Sequence, residues 1–266
     1  MKLLKIPQKG QKILKIHFSI AKNKKAKLVS NDLLKLYGQE EVSKAEVIVA
    51  VGGDGAMLAA MRESILYDIP VFGLNRGNIG FLMNEYNNSN LIDRLKAANE
   101  IIVHPLEMTA LDTKNKKHTE LAINEVAIFR RTHQSAIISI KIDDTERLNE
   151  LTCDGVMVAT PVGSTAYNLS AHGPILPIGS EILALTPISP FRPRRWRGAL
   201  IKNNSKIEFN VINPKMRPVS ASADAFEVRN ISKVSISQKN DINLRILYDK
   251  TNSMEDKYLK EQFSIG

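Results

Sequence analysis

The sequence predicts a two-domain protein, in which an α/β domain with a parallel sheet precedes a β-rich, sandwich-like domain. Strand-like and helix-like stretches alternate up to about residue 99, and the pattern changes to short alternating runs after His104-Pro105. A chain of 266 residues with 43% hydrophobic composition is also long enough for two cores. We therefore expect a boundary near residue 100, with domains at residues 1–100 and 101–249.

In the first half of the chain, β-branched apolar runs predict strands and the amphipathic stretches between them predict helices. The expected elements are a strand at Ile13–Ser19, a helix at Lys24–Tyr37, a strand at Val47–Val51, a helix at Ala56–Tyr67, a strand at Ile69–Leu74 and a helix at Ser89–Asn99. Such alternation is typical of a parallel sheet with helices on its faces. Ligands of these sheets bind beyond the carboxyl ends of the strands.

The second half contains short apolar runs separated by polar turns, which favour an antiparallel sandwich or barrel-like domain. The predicted strands are Met108–Asp112, Leu121–Arg130, Ala136–Ile142, Gly155–Thr160, Ser205–Val211, Pro218–Ala221, Ser232–Ser237 and Ile242–Tyr248. The tail, residues 250–266, contains a helix-compatible stretch at Met254–Phe263, and we expect it to return to the first domain.

The charge balance favours polyanionic partners, because 37 basic residues face 28 acidic residues and give a net charge of +9. A nucleotide satisfies this preference as well as a nucleic acid does. The basic residues collect at Lys22–Lys27, which we interpret as a solvated helix face, and at Arg192–Arg197. The second cluster contains the single tryptophan, and we rank a subunit interface or a substrate-phosphate contact above nucleic acid there.

Other classes of protein are disfavoured by what the sequence lacks. No run of about 18 apolar residues occurs, and Met1–Lys5 lacks the apolar region of a secretory signal, so we expect a cytoplasmic protein with no membrane partner. The single cysteine, Cys153, cannot form an intramolecular disulfide, and no His and Cys residues show metal-ligand spacing. We therefore expect no metal held by a dedicated protein site.

The first chemical motif is Gly52-Gly53-Asp54-Gly55, which follows a strand and precedes a helix. Glycines let backbone N–H groups approach an anion closely, and the following helix would direct its N-terminus at the same place. The sequence therefore predicts a phosphate-binding loop with a carboxylate at its tip. The alternative is a plain strand-to-helix turn.

The second motif extends from Asp154 to Ser170, from a predicted strand through a turn of small hydroxyl residues into a helix start. Ser164 and Thr165 can cap the helix or donate to a ligand, Gly163 permits close backbone approach, and Tyr167 offers a flat face for a base. These groups fit a nucleoside pocket. The alternative is a capped helix with Tyr167 in the core.

Taken together, four segments closely resemble the ordered signature of the NAD kinase family, over about residues 47 to 230. They are Gly52-Gly53-Asp54-Gly55, Gly73–Leu82, Asn124-Glu125 and Thr160–Tyr167. The glycine loop is also similar to that of lipid kinases and phosphofructokinases. The last segment, with Asn-Glu upstream, is specific to the NAD kinase family.

The resemblance implies a Rossmann-like α/β first domain and a β-sandwich-like second domain, assembled as a homodimer or homotetramer. It implies transfer of the γ-phosphoryl group of ATP, or of inorganic polyphosphate, to the 2′-hydroxyl of the adenosine ribose of NAD, producing NADP. Mg²⁺ or another divalent cation would accompany ATP.

The resemblance also assigns residues, with Asp54 as the catalytic base. The implied nucleotide-binding residues are Gly52, Gly53, Asp54, Gly55, Asn75, Phe81, Asn124, Glu125, Asp154, Val162, Ser164, Thr165, Ala166, Tyr167, Asn168, Leu169, Ser170 and, more loosely, Asp224. Asn124 and Glu125 would bind ribose and amide groups, Asp154 an exocyclic amine, and Tyr167 would stack. Without the resemblance, Asn124-Glu125 is a polar pair at a strand edge and Asp224 a turn acid.

Departures from the family pattern occur at Ala56 and Val162, where members often carry threonine, and at Ala225 after Asp224. Two hydroxyls are thereby absent, which bears on the choice of phosphoryl donor and on the rate.

Two rival functions are a lipid or sugar-phosphate kinase with the same glycine loop, and a noncatalytic nucleotide or nucleic-acid binder. The first gives no reason for Asn124-Glu125, and the second would tolerate loss of Asp54.

Overall fold

The computed structural model describes residues 14–77, 80–250 and 254–263. The chain forms two compact units. Of the described residues, the first unit contains those up to Ile101 and a return segment beginning at Arg245, and the second contains Ile102–Leu244 and the C-terminal helix. We expected residues 250–266 to return to the first domain. The return instead begins at Arg245, and the helix Met254–Phe263 belongs to the second unit.

The chain contains seventeen strands and five α-helices among the described residues. The strands are β1 (Ile16–Ile20), β2 (Val47–Gly52), β3 (Val71–Asn75), β4 (Asn99–Val103), β5 (Leu106–Asp112), β6 (Lys117–Ala122), β7 (Glu125–Arg130), β8 (Ala136–Ile142), β9 (Thr145–Cys153), β10 (Gly155–Ala159), β11 (Ile182–Ile188), β12 (Ala199–Lys202), β13 (Ile207–Val211), β14 (Val219–Ala223), β15 (Phe226–Arg229), β16 (Ile231–Gln238) and β17 (Leu244–Tyr248). The helices are α1 (Lys24–Tyr37), α2 (Asp54–Ser64), α3 (Leu91–Ala97), α4 (Tyr167–Ser170) and α5 (Met254–Phe263).

The first unit is built on a five-stranded sheet in the order β1-β2-β3-β17-β4. The pairs β1–β2, β2–β3 and β3–β17 are parallel. All six residues of β2 are buried, which explains its uninterrupted apolar sequence, since parallel strands lie between covering layers. Helix α1 begins where the side chain of Asn23 accepts the N–H of Ala26 at 2.8 Å, and ends at Gly38, which has φ of 77°.

The second unit contains two six-stranded sheets, in which the neighbouring strands pair in antiparallel fashion. Their orders are β12-β11-β10-β7-β14-β15 and β6-β5-β16-β13-β8-β9. One hydrophobic core draws buried residues from both sheets, including Ile128 and Val158 from the first and Ile140 and Phe209 from the second. This arrangement confirms the predicted α/β first domain and all-β second domain.

Three differences from the predicted strands have physical causes. The predicted strand Leu121–Arg130 is two strands, because the chain leaves one sheet after β6 and enters the other at β7. Strand β9 was missed because it is polar and mostly exposed, so it carries no alternating pattern. Strand β17 was assigned to the second domain but joins the parallel sheet, where its Ile246 pairs with Val71.

In the described part of the chain, no helix combines the length and apolar character that a membrane span requires.

Candidate functional site

The glycine loop of the first unit joins β2 directly to α2. Gly53 precedes the helix in an extended conformation, with φ of −114° and ψ of −166°. A Cβ at Gly52 would lie 2.7 Å from the Cβ of Ala56 and 2.8 Å from that of Ala21, so close packing requires this glycine. Gly55 is exposed, and a Cβ there would meet no atom within 4 Å. Packing therefore does not explain Gly55, whereas close approach of a ligand to the helix N-terminus would.

Asp54, the predicted catalytic residue, is held by backbone amides that sequence reasoning did not identify as its partners. The N–H of Phe81 donates to Oδ2 at 3.1 Å, and the N–H of Leu82 donates to Oδ1 at 2.9 Å. The carboxylate lies in the first turn of α2, where the helix dipole favours negative charge. Because each carboxylate oxygen can accept more than one hydrogen bond, this fixed group can also orient a hydroxyl.

The segment after β3 supplies the other predicted residues of the first unit. Asn75 ends this strand, and its side-chain oxygen accepts the N–H of Gly77 at 2.9 Å. The next residue, Arg76, donates its N–H to the carbonyl of Gly52 and places its guanidinium 3.4 Å from the ring centre of Tyr86. The first unit thus brings Gly52–Gly55, Asn75 and Phe81 together at the carboxyl ends of β2 and β3.

In the second unit, Asp224 organises the backbone of the Asn-Glu motif. Its Oδ2 accepts the N–H of Ile123 at 2.8 Å, and its Oδ1 accepts those of Asn124 at 2.9 Å and Glu125 at 3.3 Å. Asp224 adopts a left-handed conformation, with φ of 48°, at the turn between β14 and β15. This residue, which the sequence matched loosely, is therefore the anchor of the motif.

The side chains of Asn124 and Glu125 present acceptor groups without protein partners. Asn124 Oδ1 and Glu125 Oε2 are buried and make no hydrogen bond within the described residues. Burial, and secondarily the charge of Asp224, raises the pKa of Glu125 to about 7. Buried unpaired polar atoms are costly, so this pair fits a ligand that carries hydroxyl or amide groups.

The turn after β10 packs directly on the Asn-Glu motif. The hydroxyl of Thr160 donates to the carbonyl of Ile123 at 2.7 Å, and a Cβ on Gly163 would lie 2.2 Å from the carbonyl oxygen of Asn124. Only glycine fits at that contact. The two predicted segments of the second unit, Asn124-Glu125 and Gly163–Ser170, are therefore brought together.

Two residues of this turn use their polar atoms within the protein. The hydroxyl of Ser164 donates to Pro161 O at 2.7 Å and accepts the N–H of Leu176 at 2.9 Å. Asn168 is fully buried and binds the carbonyl of Pro174 and the hydroxyl of Thr186, at 2.9 and 2.6 Å. Their contacts shape the turn.

The remaining predicted residues of the turn differ in exposure. Val162 is buried, Thr165, Ala166 and Leu169 are partly exposed, and Ser170 is exposed. Tyr167 is 39% exposed, and its ring lies 5.8 Å from that of Phe129 at an angle of 38°. The tyrosine is therefore outside the core, in contrast to the alternative of a core tyrosine, and offers an aromatic face to a ligand.

Asp154 joins β9 to β10, so it lies where the chain passes from one sheet to the other. Its carboxylate pairs with Arg130, a partner that the sequence analysis did not name. The backbone N–H of Arg130 also donates to Asp154 O at 2.8 Å. Among the described residues, no group of three His, Cys, Asp or Glu side chains is arranged to hold a metal ion.

Comparisons with known proteins agree with these motifs. Residues 7–101 match the model of the ATP-NAD kinase N-terminal domain, and residues 123–238 match that of the ATP-NAD kinase C-terminal domain. The chain is 48% identical to the NAD kinase of Caulobacter vibrioides, over 95% of this chain and 97% of that one. It is 47% identical to the NAD kinase of Rhizobium meliloti, over 96% of this chain and 99% of that one.

Solved structures show the same fold. An NAD kinase from Archaeoglobus fulgidus, solved in complex with ATP, superimposes with a TM-score of 0.73 and 24% identity, over 95% of this chain and 99% of that one. Yeast NADH kinase, solved with NADH, gives a TM-score of 0.72 and 22% identity, over 85% of this chain and 68% of that one. With its two domain models and its relatives of nearly half identical sequence, the chain belongs to the ATP-NAD kinase family.

Proposed function

We propose that this chain is an NAD kinase that transfers the γ-phosphoryl group of ATP to the 2′-hydroxyl of the adenosine ribose of NAD, producing NADP and ADP. Curated relatives of this name cover almost the whole chain. The observation that carries the mechanism is the carboxylate of Asp54, fixed by two backbone amides beside an open helix N-terminus.

Asp54 acts by orienting the ribose hydroxyl and accepting its proton late in the reaction. A carboxylate is too weak a base to ionise a ribose hydroxyl in the ground state. In a loose phosphoryl-transfer transition state, the hydroxyl becomes acidic only as its bond to phosphorus forms. The amides of Phe81 and Leu82 hold the carboxylate in one orientation, so it needs no rearrangement when the hydroxyl arrives.

The donor phosphates bind at the glycine loop, where Gly55 leaves the first turn of α2 open. The chain has no Walker A sequence and so lacks the lysine that binds phosphates in such a loop. Backbone N–H groups therefore take a larger share of phosphate binding here than in a Walker A loop. Mg²⁺ is usually bound through one or two carboxylates together with substrate phosphates. Asp54, a carboxylate in the first turn of α2, fits the role of one protein ligand for a cation that would arrive with ATP.

The dinucleotide binds at the second-unit motifs. Asn124 Oδ1 and Glu125 Oε2 are buried atoms without a hydrogen bond among the described residues. The ribose hydroxyls or the amide N–H groups of NAD would donate hydrogen bonds to them. Tyr167 supplies a stacking face, and Asp154 accepts an exocyclic amine while remaining paired with Arg130. Ser164 and Asn168 hold the turn in shape for these contacts. Assembly as a homodimer or homotetramer, a cytoplasmic location and use of inorganic polyphosphate remain further proposals from the family resemblance.

The test is NADP formation from NAD and Mg-ATP by the wild type and Asp54→Asn, run side by side. We expect the wild type to form NADP, and the variant to lose several orders of magnitude in turnover while its affinity for NAD, measured by calorimetry, stays within a few-fold. A wild type that forms no NADP from ATP or polyphosphate would refute the assigned reaction, and phosphorylation of a lipid or sugar phosphate would then favour the rival kinase. Equal turnover in Asp54→Asn would refute the role of Asp54.

A further inference from the structure

The two amides that hold Asp54 belong to a short segment of the first unit, Phe81–Asn84, which follows β3. The orientation of the Asp54 carboxylate depends on where this segment lies, because amides constrain an acceptor only if their own backbone is held. An isolated bridge between Leu74 and Asn84 joins the segment to β3. What fixes Asn84 therefore also fixes the partners of Asp54.

Asn84 is fully buried, and each of its four hydrogen-bonding groups has a protein partner. Its backbone N–H donates to Gly73 O at 2.8 Å, and its carbonyl accepts the N–H of Asn75 at 2.9 Å. Its side-chain Nδ2 donates to Leu247 O at 3.2 Å, and its Oδ1 accepts the N–H of Asp249 at 3.0 Å. The backbone of Asn84 thus pairs with the end of β3. Its side chain binds Leu247 in β17 and Asp249 just after that strand.

The return segment that Asn84 binds is fastened a second time through Asp249. The guanidinium of Arg94 binds the carboxylate of Asp249 through two nitrogens, and both side chains are largely buried, at 16% and 12% exposed. The same guanidinium donates to Glu85 O and Asn87 O, each at 2.9 Å. A bidentate arginine of this kind fixes geometry as well as charge. The backbone on the C-terminal side of Asn84 is therefore tied to the same return segment.

We propose that Asn84 is a positioning residue for phosphoryl transfer, which acts by joining the return segment to the backbone amides that orient Asp54. The proposal rests on the proposed function only for the catalytic consequence. The four hydrogen-bonding groups of Asn84 are occupied by protein partners, so its loss should change turnover more than substrate binding. Through Asn84, the return segment helps to hold the carboxylate of Asp54 in position.

The experiment compares Asn84→Leu and Asn84→Asp with the wild type. Leucine has a similar volume but removes both side-chain bonds, whereas aspartate keeps an acceptor for the Asp249 N–H. We expect Asn84→Leu to lower kcat at least about tenfold, with the KM values for ATP and NAD changed less than about threefold. Asn84→Asp should fall between Asn84→Leu and the wild type.

A readout independent of catalysis is hydrogen exchange at the Phe81 and Leu82 amides, measured by NMR on the full chain. We expect faster exchange at both amides in Asn84→Leu, with little change in α1. The matched control is Leu33→Ala, a fully buried core position of α1, which should lower the melting temperature but leave kcat and the two amides near wild-type values. All kinetics are run at a temperature where each variant is folded.

The outcomes separate this proposal from the proposed function. Unchanged exchange at Phe81 and Leu82 in folded Asn84→Leu would overturn the positioning role, as would an unchanged kcat. So would a Leu33→Ala variant that loses turnover to the same extent. A wild type that forms no NADP would instead refute the assigned reaction, and the exchange measurement would still decide whether Asn84 holds the partners of Asp54.

Discussion

The carboxylate of Asp224 lies beside that of Glu125 and accepts the Glu125 backbone N–H at 3.3 Å. The contact has opposite effects on the two parts of Glu125. The hydrogen bond fixes the backbone, whereas the charge of Asp224 adds to burial in raising the pKa of the Glu125 side chain to about 7. Burial and the Asp224 charge therefore favour the protonated form of the Glu125 carboxyl, which can donate a hydrogen bond as well as accept one.

The raised pKa of Glu125 predicts a specific dependence of stability on pH. Below about pH 4.5 the group is protonated in the folded and unfolded states and has no effect. Between pH 4.5 and 7 the folded state binds more protons, so the free energy of unfolding falls as pH rises. A pKa raised from 4.5 to about 7 lowers the free energy of unfolding by at most roughly 3 kcal/mol above pH 7, relative to its value below pH 4.5.

Glu125→Gln isolates this effect, because the amide stays neutral at every pH. We expect its free energy of unfolding, from urea titrations at several pH values, to rise relative to the wild type between pH 4.5 and 7. A difference between the two proteins that is constant over this range would contradict the prediction. Titrating groups that do not interact with Glu125 contribute equally to both proteins and cancel in the difference.

Asp54 should contribute to stability as well as to turnover. In Asp54→Asn, the side-chain amide would direct an N–H₂ group at one of the two backbone donors, Phe81 N–H or Leu82 N–H. The loss of one charge-assisted bond should cost about 1–2 kcal/mol of the free energy of unfolding. The measurement is urea unfolding at pH 7.

The matched control for Asp54→Asn is Asp93→Asn, because Asp93 is an exposed acid in the first turn of α3. Its loss should cost only the helix-dipole contribution, about 0.3–1 kcal/mol. If both variants lose the same stability, the two amides contribute nothing beyond the helix position of the carboxylate.

Local sequence was sufficient to predict those parts of the molecule whose structure depends on near neighbours. Helix α1 has the predicted bounds, Lys24–Tyr37, because a capping Asn23 and a terminal Gly38 mark its ends in the sequence. The glycine loop was placed correctly between a strand and a helix, since a buried parallel strand leaves an apolar run and glycines mark its exit.

Local sequence patterns could not predict the contacts between residues that lie far apart in the chain. The Leu-x-Ile-Leu-Tyr sequence of β17 fits either domain, and only the completed sheet beside β3 decides between them. The partners of Asp54 are backbone amides 27 and 28 residues away, and amides leave no mark in a sequence. The anchoring of Asn124 by Asp224 spans 100 residues and was likewise invisible to local patterns.

Tyr167 should contribute to NAD binding rather than to folding. Its ring is 39% exposed and makes a tilted contact with Phe129. We expect Tyr167→Ala to raise the KM for NAD about tenfold, since an aromatic contact contributes about 0.5–1.5 kcal/mol, while the free energy of unfolding falls by less than about 1 kcal/mol. Tyr167→Phe keeps the ring and should bind NAD nearly normally. An unchanged KM for NAD in the alanine variant would remove the stacking role.

Gly55→Ala separates the requirements of folding from those of phosphate binding. A Cβ at Gly55 meets nothing within 4 Å, and alanine is a better helix residue, so stability should be unchanged or raised by up to about 1 kcal/mol. The KM for ATP should nevertheless rise about tenfold or more, because the methyl group would occupy the approach of the phosphates. Gly163→Ala is the contrasting control, since its Cβ would lie 2.2 Å from the carbonyl oxygen of Asn124 and should destabilise the fold by about 2 kcal/mol or more. A Gly55→Ala enzyme with a normal KM for ATP would place the donor phosphates away from the glycine loop.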